Sequence, residues 1–287
     1  LYGTGDFEHV NYRIISDEGK RVMAIEAVEK AWGPDYLRLG LGLSSDFSGE
    51  TFFTLVAAHR MTWLNRLGAE FRTDLQAGYD NSLRMEFYQP LSVAGTYFVA
   101  PRASFGAQRV AVYQQDNRIA EYDIGANVAG VDLGMQFQQY GEFRLGLEGG
   151  RVKPELDTGP ASLDPGGRSY DLGALRARLL LDRLDNAHFP RFGWNAAATV
   201  YDSNKDLGAE VPYTKWLAGG RLAHSFGENT VRLGVTAGGT IGNNRLPAYD
   251  QFQWGGFLQQ SGYATGQLIG QNLQFGQPMF YRRIARG

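Results

Sequence analysis

Side chains that could do acid–base, nucleophilic or metal chemistry are few in this sequence, and their spacing does not gather them. Four histidines, His9, His59, His188 and His224, fall in separate segments without the spacing that holds a metal ion, and read as solvated or packed side chains. There is no cysteine, which removes thiolate nucleophiles, thiolate metal ligands and a disulfide framework together. No Gly-x-Ser-x-Gly occurs, so the nucleophile elbow of the serine hydrolases is missing. The glycine-rich piece Gly146 to Gly150 lacks the Lys-Ser/Thr of a phosphate loop and reads as strand glycine. This span is therefore expected to be no enzyme and to need no metal and no cofactor. One charged constellation remains: the row Arg176, Arg178 and Asp182, with Arg144 and Arg232 on neighbouring polar faces. Two readings stay open for it, an ion-pair network in a wet interior and a surface against which a loop docks.

The elements that carry these residues are strands. Leu37, Leu39, Leu41 and Leu43 alternate with Tyr36, Arg38, Gly40, Gly42 and Ser44, so one face is aliphatic and the other polar or glycine. The same period of two sets Phe143, Leu145 and Leu147 against Glu142, Arg144 and Glu148. It also sets Leu175, Ala177, Leu179 and Leu181 against Arg176, Arg178 and Asp182, and Val231, Leu233 and Val235 against Arg232, Gly234 and Thr236. Twelve such segments can be marked, near 36–46, 51–63, 68–79, 82–89, 96–114, 118–137, 141–153, 169–184, 193–205, 211–226, 229–242 and 272–284. Many reach the roughly 9–11 residues that a tilted strand needs to cross a bilayer, where strands of soluble sandwiches run to about 5–6. Short connections such as 64–66 and 138–140 are expected at one end and long ones such as 154–168 and 243–271 at the other.

The totals agree. Thirty-eight glycines against 10 prolines, with 17 Phe and 15 Tyr, suit twisted, closely packed strands with aromatic belts. A net charge of -2 with both signs interspersed excludes the basic face of a nucleic-acid binder. The mean hydropathy of -0.31 has no bearing on a barrel, because lipid-facing and lumen-facing residues cancel in any window average.

Two stretches stand apart. Residues 1–33 hold two strand-like runs around Ser16-Asp17-Glu18-Gly19, too little to fold alone, closed by a boundary at Trp32-Gly33-Pro34. Residues 251–283 form a long glycine-spaced segment carrying Ser261-Gly262-Tyr263 and ending in a strand, which inside a compact domain marks function or a plug.

Leu181-Asp182-Arg183-Leu184-Asp185 followed by Pro190 and Gly193 resembles the "RLD, then Pro, then Gly" turn of the outer membrane protein 85 superfamily. Trp254 to Arg283 resembles that family's lumen-inserted sixth loop and twelfth strand. The family tip carries Val/Ile-Arg-Gly-Phe/Tyr, whereas this chain has Gln260-Ser261-Gly262-Tyr263, keeping Gly-Tyr without the arginine and its anchoring ion pair. The opening, Leu1 to Tyr12, is similar to the closing hairpin of a POTRA domain. With Trp32 to Arg38 it most resembles the patatin-like autotransporters of type Vd secretion.

The resemblance implies an all-β, transmembrane antiparallel barrel over 34–287, of which about twelve strands of an expected sixteen are present. Residues 1–33 would be a periplasmic POTRA remainder. It implies a location in the bacterial outer membrane, with lipids and a fused passenger polypeptide as partners, no nucleic acid, and self-association left open. The function implied is translocation of a patatin-like phospholipase passenger, with an assembly factor of the BamA and TamA kind as the alternative. The site residues it singles out are Ser261, Gly262 and Tyr263 at the loop tip and Arg183, Leu184, Asp185, Pro190 and Gly193 in the turn. Arg144, Arg176, Arg178, Asp182 and Arg232 would be the lumenal row.

Overall fold

The computed structural model of the chain describes residues 7–17, 20–29, 35–45, 51–114 and 117–284. The expected boundary at Trp32-Gly33-Pro34, the opening Leu1 to Asp6 and Glu18-Gly19 lie outside the described residues. β1 (Phe7–Asp17) and β2 (Lys20–Glu29) form an antiparallel pair of their own. A single sheet follows: β3 (Asp35–Ser45), β4 (Thr51–Met61), β5 (Glu70–Gly78), β6 (Asn81–Pro90), β7 (Tyr97–Gln114), β8 (Asn117–Gln136), β9 (Gly141–Thr158), β10 (Tyr170–Asp182), β11 (Gly193–Ser203), β12 (Tyr213–Phe226) and β13 (Asn229–Ile241). The small hairpin of β14 (Phe252–Trp254) and β15 (Leu268–Gly270) intervenes before the last strand, β16 (Leu273–Arg282). The sheet has twelve strands in the order β16-β13-β12-β11-β10-β9-β8-β7-β6-β5-β4-β3, so each strand pairs with its predecessor and only the β14–β15 segment interrupts the meander.

The sheet is inside out by the standard of a water-soluble domain. Leu37, Leu39, Leu41 and Leu43 are 66–73% exposed, and Leu147, Leu233 and Val235 are exposed as well, while Asp132 is 1% and Arg144 6% exposed. A protein in water hides its aliphatic side chains and exposes its charges. The reverse arrangement is what a strand between lipid and a wet lumen requires. The sheet also curls on itself, because Gln76, Ser82 and Arg84 of β5 and β6 line the same cavity as Thr199, Tyr213 and Lys215 of β11 and β12. These are the twelve antiparallel strands of a membrane barrel wall.

Two expectations need correction. The break placed at Pro154 is not there, since β9 runs on to Thr158 and Pro154 pairs with Ile124 of β8. The proline is tolerated because β10 has already stopped pairing at Tyr170–Val152, so beyond that point β9 is an edge strand. The rule of short turns at one end holds only loosely. The ten-residue turn 183–192 shares an end with the short turns, and Tyr79-Asp80 shares the other end with the loops 159–169 and 242–272. The brevity of the second turn follows from Asn81, whose side chain accepts from the Gly78 amide at 3.2 Å and replaces a longer connection.

Candidate functional site: a plugged lumen

Alternation on β4 to β10 places charges inward, and the register brings opposite signs into reach. Arg60 and Arg72 share Glu70 at 2.6 and 2.7 Å, Arg72 continues to Glu86 at 3.0 Å, and Arg144 joins Glu86 at 2.5 Å and Glu142 at 2.8 Å. Asp132 lies at the centre, with Arg102 and Arg176 at 3.3 Å and Arg144 at 3.5 Å; Arg102 and Arg176 also face Glu148. Burial without such pairing would cost several kcal/mol per charge, so the lattice is what allows this wall to be charged. Arg144 and Arg176 of the lumenal row are thereby held by carboxylates. Arg178 faces Thr199 and Arg144 across the strands, and the Asp182 carboxylate accepts from the Leu184 amide at 2.9 Å.

The loop between β13 and β16 lies inside the wall, on its other half. At its neck, the Gln271 side chain accepts from the Leu246 amide at 2.7 Å and donates to the Leu246 carbonyl at 3.1 Å, tying the two arms together. Asp250 accepts from the Tyr213 hydroxyl and from Lys215 Nζ of β12, each at 2.8 Å, and Lys215 also donates to the Asp250 carbonyl at 2.7 Å. Phe252 stacks under Lys215 at 4.6 Å and is buried with Tyr213 and Leu246. It fits there because Gly238 has no side chain: a Cβ would meet the ring at 2.7 Å. Tyr249, in the adjoining turn, is pushed up to about 12, first by burial and then by the charge on Asp250.

Farther in, the loop rests on β16. Trp254 packs on Phe275 with ring centroids 5.0 Å apart, and Gln277 donates to the Leu258 carbonyl at 2.6 Å while accepting from Arg232 at 3.0 Å. Of the row Arg144, Arg176, Arg178, Asp182 and Arg232, only Arg232 reaches the loop by a hydrogen bond, and it does so through Gln277. β16 also inverts the pattern of the other strands. Its inward face is Leu273, Phe275, Gln277, Met279 and Tyr281, half-buried, and its outward face is Gln274, Gly276, Pro278, Phe280 and Arg282, exposed. The wall is apolar inside here because it meets a folded loop and not water.

Ser261, Gly262 and Tyr263 form a turn at the tip. The Tyr263 amide donates to the Gln260 carbonyl at 3.0 Å, its carbonyl accepts from the Gly256 amide at 3.1 Å, and its ring is 38% exposed. Phe257, Leu258 and Gln259, just before that turn, line a cavity of about 910 Å³ at the end of the turn 183–192, together with Asp182, His188, Arg221 and Arg232 among others. A second cavity, of about 610 Å³, lies toward the opposite end and is lined by Arg84, Tyr201, Lys215 and Asp250 among others. The loop thus contributes its neck to one space and its tip to the other.

The turn 183–192 is built around Asp185. Its side chain accepts from the Arg191 and Phe192 amides at 2.8 and 3.1 Å, its own amide donates to the Phe192 carbonyl at 3.1 Å, and the Arg183 guanidinium sits 4.4 Å over Tyr140. Gly193 closes the turn at φ 103°, with the Arg183 carbonyl 2.0 Å from where a Cβ would stand. The Pro190 carbonyl accepts from the Tyr281 hydroxyl, and Phe189 meets that ring edge-on at 5.9 Å. The turn therefore reaches the strand that carries the loop. Leu184 follows Arg183 at the start of the turn, where its amide is held by Asp182.

Sequence reasoning missed Tyr213, Lys215, Asp250, Gln271 and Gln277. No spacing announces them, because each contact joins residues far apart in the chain. One signal was present: Gln274, Gly276 and Pro278 make too poor a face for lipid, which points the other face of that strand at an apolar partner.

Among curated protein sequences none matches this chain. Among solved structures it resembles BamA from Haemophilus ducreyi lacking POTRA domains 1–3, with a TM-score of 0.68 at 14% identity, over 92% of this chain and 52% of that one. It also resembles CdiB from Acinetobacter baumannii, with a TM-score of 0.59 at 11% identity, over 96% of this chain and 52% of that one. The chain spans about half the length of these structures. The Omp85 superfamily domain matches residues 64–281, which takes in every strand from β5 to β16 and the loop between β13 and β16. This chain belongs to the Omp85 superfamily, whose domain here is an outer-membrane β-barrel.

Proposed function

We propose that this barrel is a translocator that moves a polypeptide across or into the outer membrane, with the loop of residues 242–272 as its gate. One observation carries the reading: the loop lines one cavity of the lumen with its neck and another with Phe257, Leu258 and Gln259, and beyond Trp254 its inner end is held to β16 by a hydrogen bond from Gln277 to the Leu258 carbonyl. A structural plug would be fastened along its length, whereas a gate needs an end that can be released between two packed states. The passenger we assign is a fused patatin-like phospholipase, exported or displayed by type V secretion, which rests on the resemblance of residues 1–38 alone. Residues 1–33 would then be the remainder of a periplasmic POTRA domain.

The alternative, an assembly factor of the BamA kind, is favoured by the similarity in fold to BamA. The length and content of the parent protein before Leu1 separates the two, since assembly factors of that kind carry several POTRA domains. Removing residues 257–264 tests the gate. Pore conductance in planar bilayers is expected to rise and surface exposure of the passenger to change; unchanged values of both would refute it.

A further inference from the structure

The loop's two ends are fastened by different means, and from this we infer that opening moves only its tip, residues 255–266, while the neck stays bound to the wall. This rests on the gate reading above and specifies how that gate works. At the neck, Gln271 closes both arms on Leu246, Asp250 accepts from Tyr213 and Lys215, and Phe252 is buried under Lys215. These contacts are polar and apolar at once, and Tyr213, Lys215 and Asp250 among them line the cavity farther from the turn 183–192.

The tip holds itself together instead. Within the piece Gly256 donates to the Tyr263 carbonyl at 3.1 Å, Gln259 to the Gly256 carbonyl at 3.0 Å and Tyr263 to the Gln260 carbonyl at 3.0 Å; two bonds between Ala264 and Gln267, at 3.1 and 2.8 Å, span Gly266 at its base and are given up when it swings. The piece can therefore keep its shape when it leaves the wall. It looks onto the cavity beside the turn 183–192, where Phe257 is 71% and Leu258 48% exposed.

Pivots stand at both ends of this piece. Gly255 and Gly256 have φ of 126° and 95° just after β14, and Gly266 has φ of 70° just before β15. The two arms cross so closely that a Cβ on Gly255 would lie 2.5 Å from the Ala264 carbonyl, and one on Gly256 2.9 Å from Thr265 Oγ1. Glycine at these three positions leaves the backbone free to change its torsions without moving β14 or β15. An extended polypeptide entering the cavity beside the turn meets Phe257 and Leu258 first. Displacing the tip joins the two cavities while the Asp250 fastening remains.

These 287 residues contain no cysteine, so a cross-link within them reports on an introduced pair. One full-length variant carries Leu258→Cys with Gln277→Cys across the tip contact, and another Leu246→Cys with Gln271→Cys across the neck. Each is reconstituted in planar bilayers, with cross-linking read on non-reducing gels and folding by heat-modifiable mobility. The tip cross-link is expected to cut open–closed conductance transitions to about a tenth or less, with recovery on reduction, and the neck cross-link to leave them within about twofold. Gln277→Ala, which needs no disulfide, is expected to raise their frequency. Suppression by the neck cross-link, or an unaltered frequency in Gln277→Ala, overturns the tip motion while leaving a gating loop intact. Transitions untouched by either cross-link and by removal of residues 257–264 overturn the gate itself.

Discussion

Leu147→Arg puts the inside-out assignment at risk in one measurement. Leu147 is 50% exposed at the centre of an outward patch, with Val131 beside it on β8 and Leu175 on β10. If that patch meets the hydrocarbon core, a guanidinium there costs roughly 2–4 kcal/mol near the midplane. That amounts to roughly 30- to 1,000-fold in the folding equilibrium. If the same patch met water, the change would fall within about 0.5 kcal/mol, as surface substitutions do. The companion is Thr199→Glu, which places a charge on the opposite face. Thr199 is the cross-strand neighbour of Arg178, and among the described residues Arg178 has no carboxylate in ion-pair contact. The new pair is expected to be neutral or to stabilise by about 0.2–1 kcal/mol. Urea titration of both variants refolded into lipid vesicles reads the difference directly. Equal costs for the two, or no cost for Leu147→Arg, would refute the assignment of faces.

Three further outcomes are expected. Gly193→Ala forces a Cβ to within 2.0 Å of the Arg183 carbonyl at φ 103° and should destabilise by roughly 1–3 kcal/mol in the same titration, whereas Gly276→Ala, with nothing within 4 Å, should change stability by less than about 0.5 kcal/mol. Asp132→Asn removes the charge shared by Arg102, Arg144 and Arg176 and is expected to cost on the order of 1–3 kcal/mol, moderated because each arginine keeps another carboxylate. The raised Tyr249 phenol gives a pH dependence: its folded value of about 12 exceeds the unfolded value of about 10, so the folded state holds the proton longer. Its contribution to stability is then complete below about pH 10 and lost as the pH rises toward 12. Tyr249→Phe should flatten the alkaline slope of the stability curve in that window.

The strands were legible because each obeys a local rule. A period of two with one aliphatic face, as in Leu37 to Leu43 or Leu175 to Leu181, needs no tertiary information. Pro154 misled because a proline ends a strand only where its amide is needed, and whether β10 pairs at that point cannot be read from β9. The lumenal row was legible as a set of charges but not as contacts. The alternation says that Arg176 and Arg232 face inward. It cannot say that the first meets Asp132 and the second meets Gln277, because those partners lie 44 and 45 residues away. The loop tip was found by its glycines, while its fastening to β12 was not, since Lys215 looks like any other inward charge of a strand.

The wall is built in two halves, and this decides where a loop can lie. From β4 to β10 the inward guanidinium groups of Arg60, Arg72, Arg102, Arg144 and Arg176 are already held by carboxylates, so a loop pressed there would displace paired charges and offer only backbone in return. From β12 to β16 the inward surface is different: Gly219, Gly234 and Gly238 leave room, Lys215 and Tyr213 await an acceptor, and β16 turns aromatic and aliphatic side chains inward. Asp250 supplies the acceptor, Phe252 fills the space at Gly238, and Trp254 covers Phe275. The inverted face of β16 and the position of the loop are thus one fact. Without the loop, Leu273, Phe275 and Met279 would face a wet lumen, so any opened state must keep most of that surface covered. A tip that swings while Phe252 and the neck remain in place meets this condition, and withdrawal of the whole loop does not.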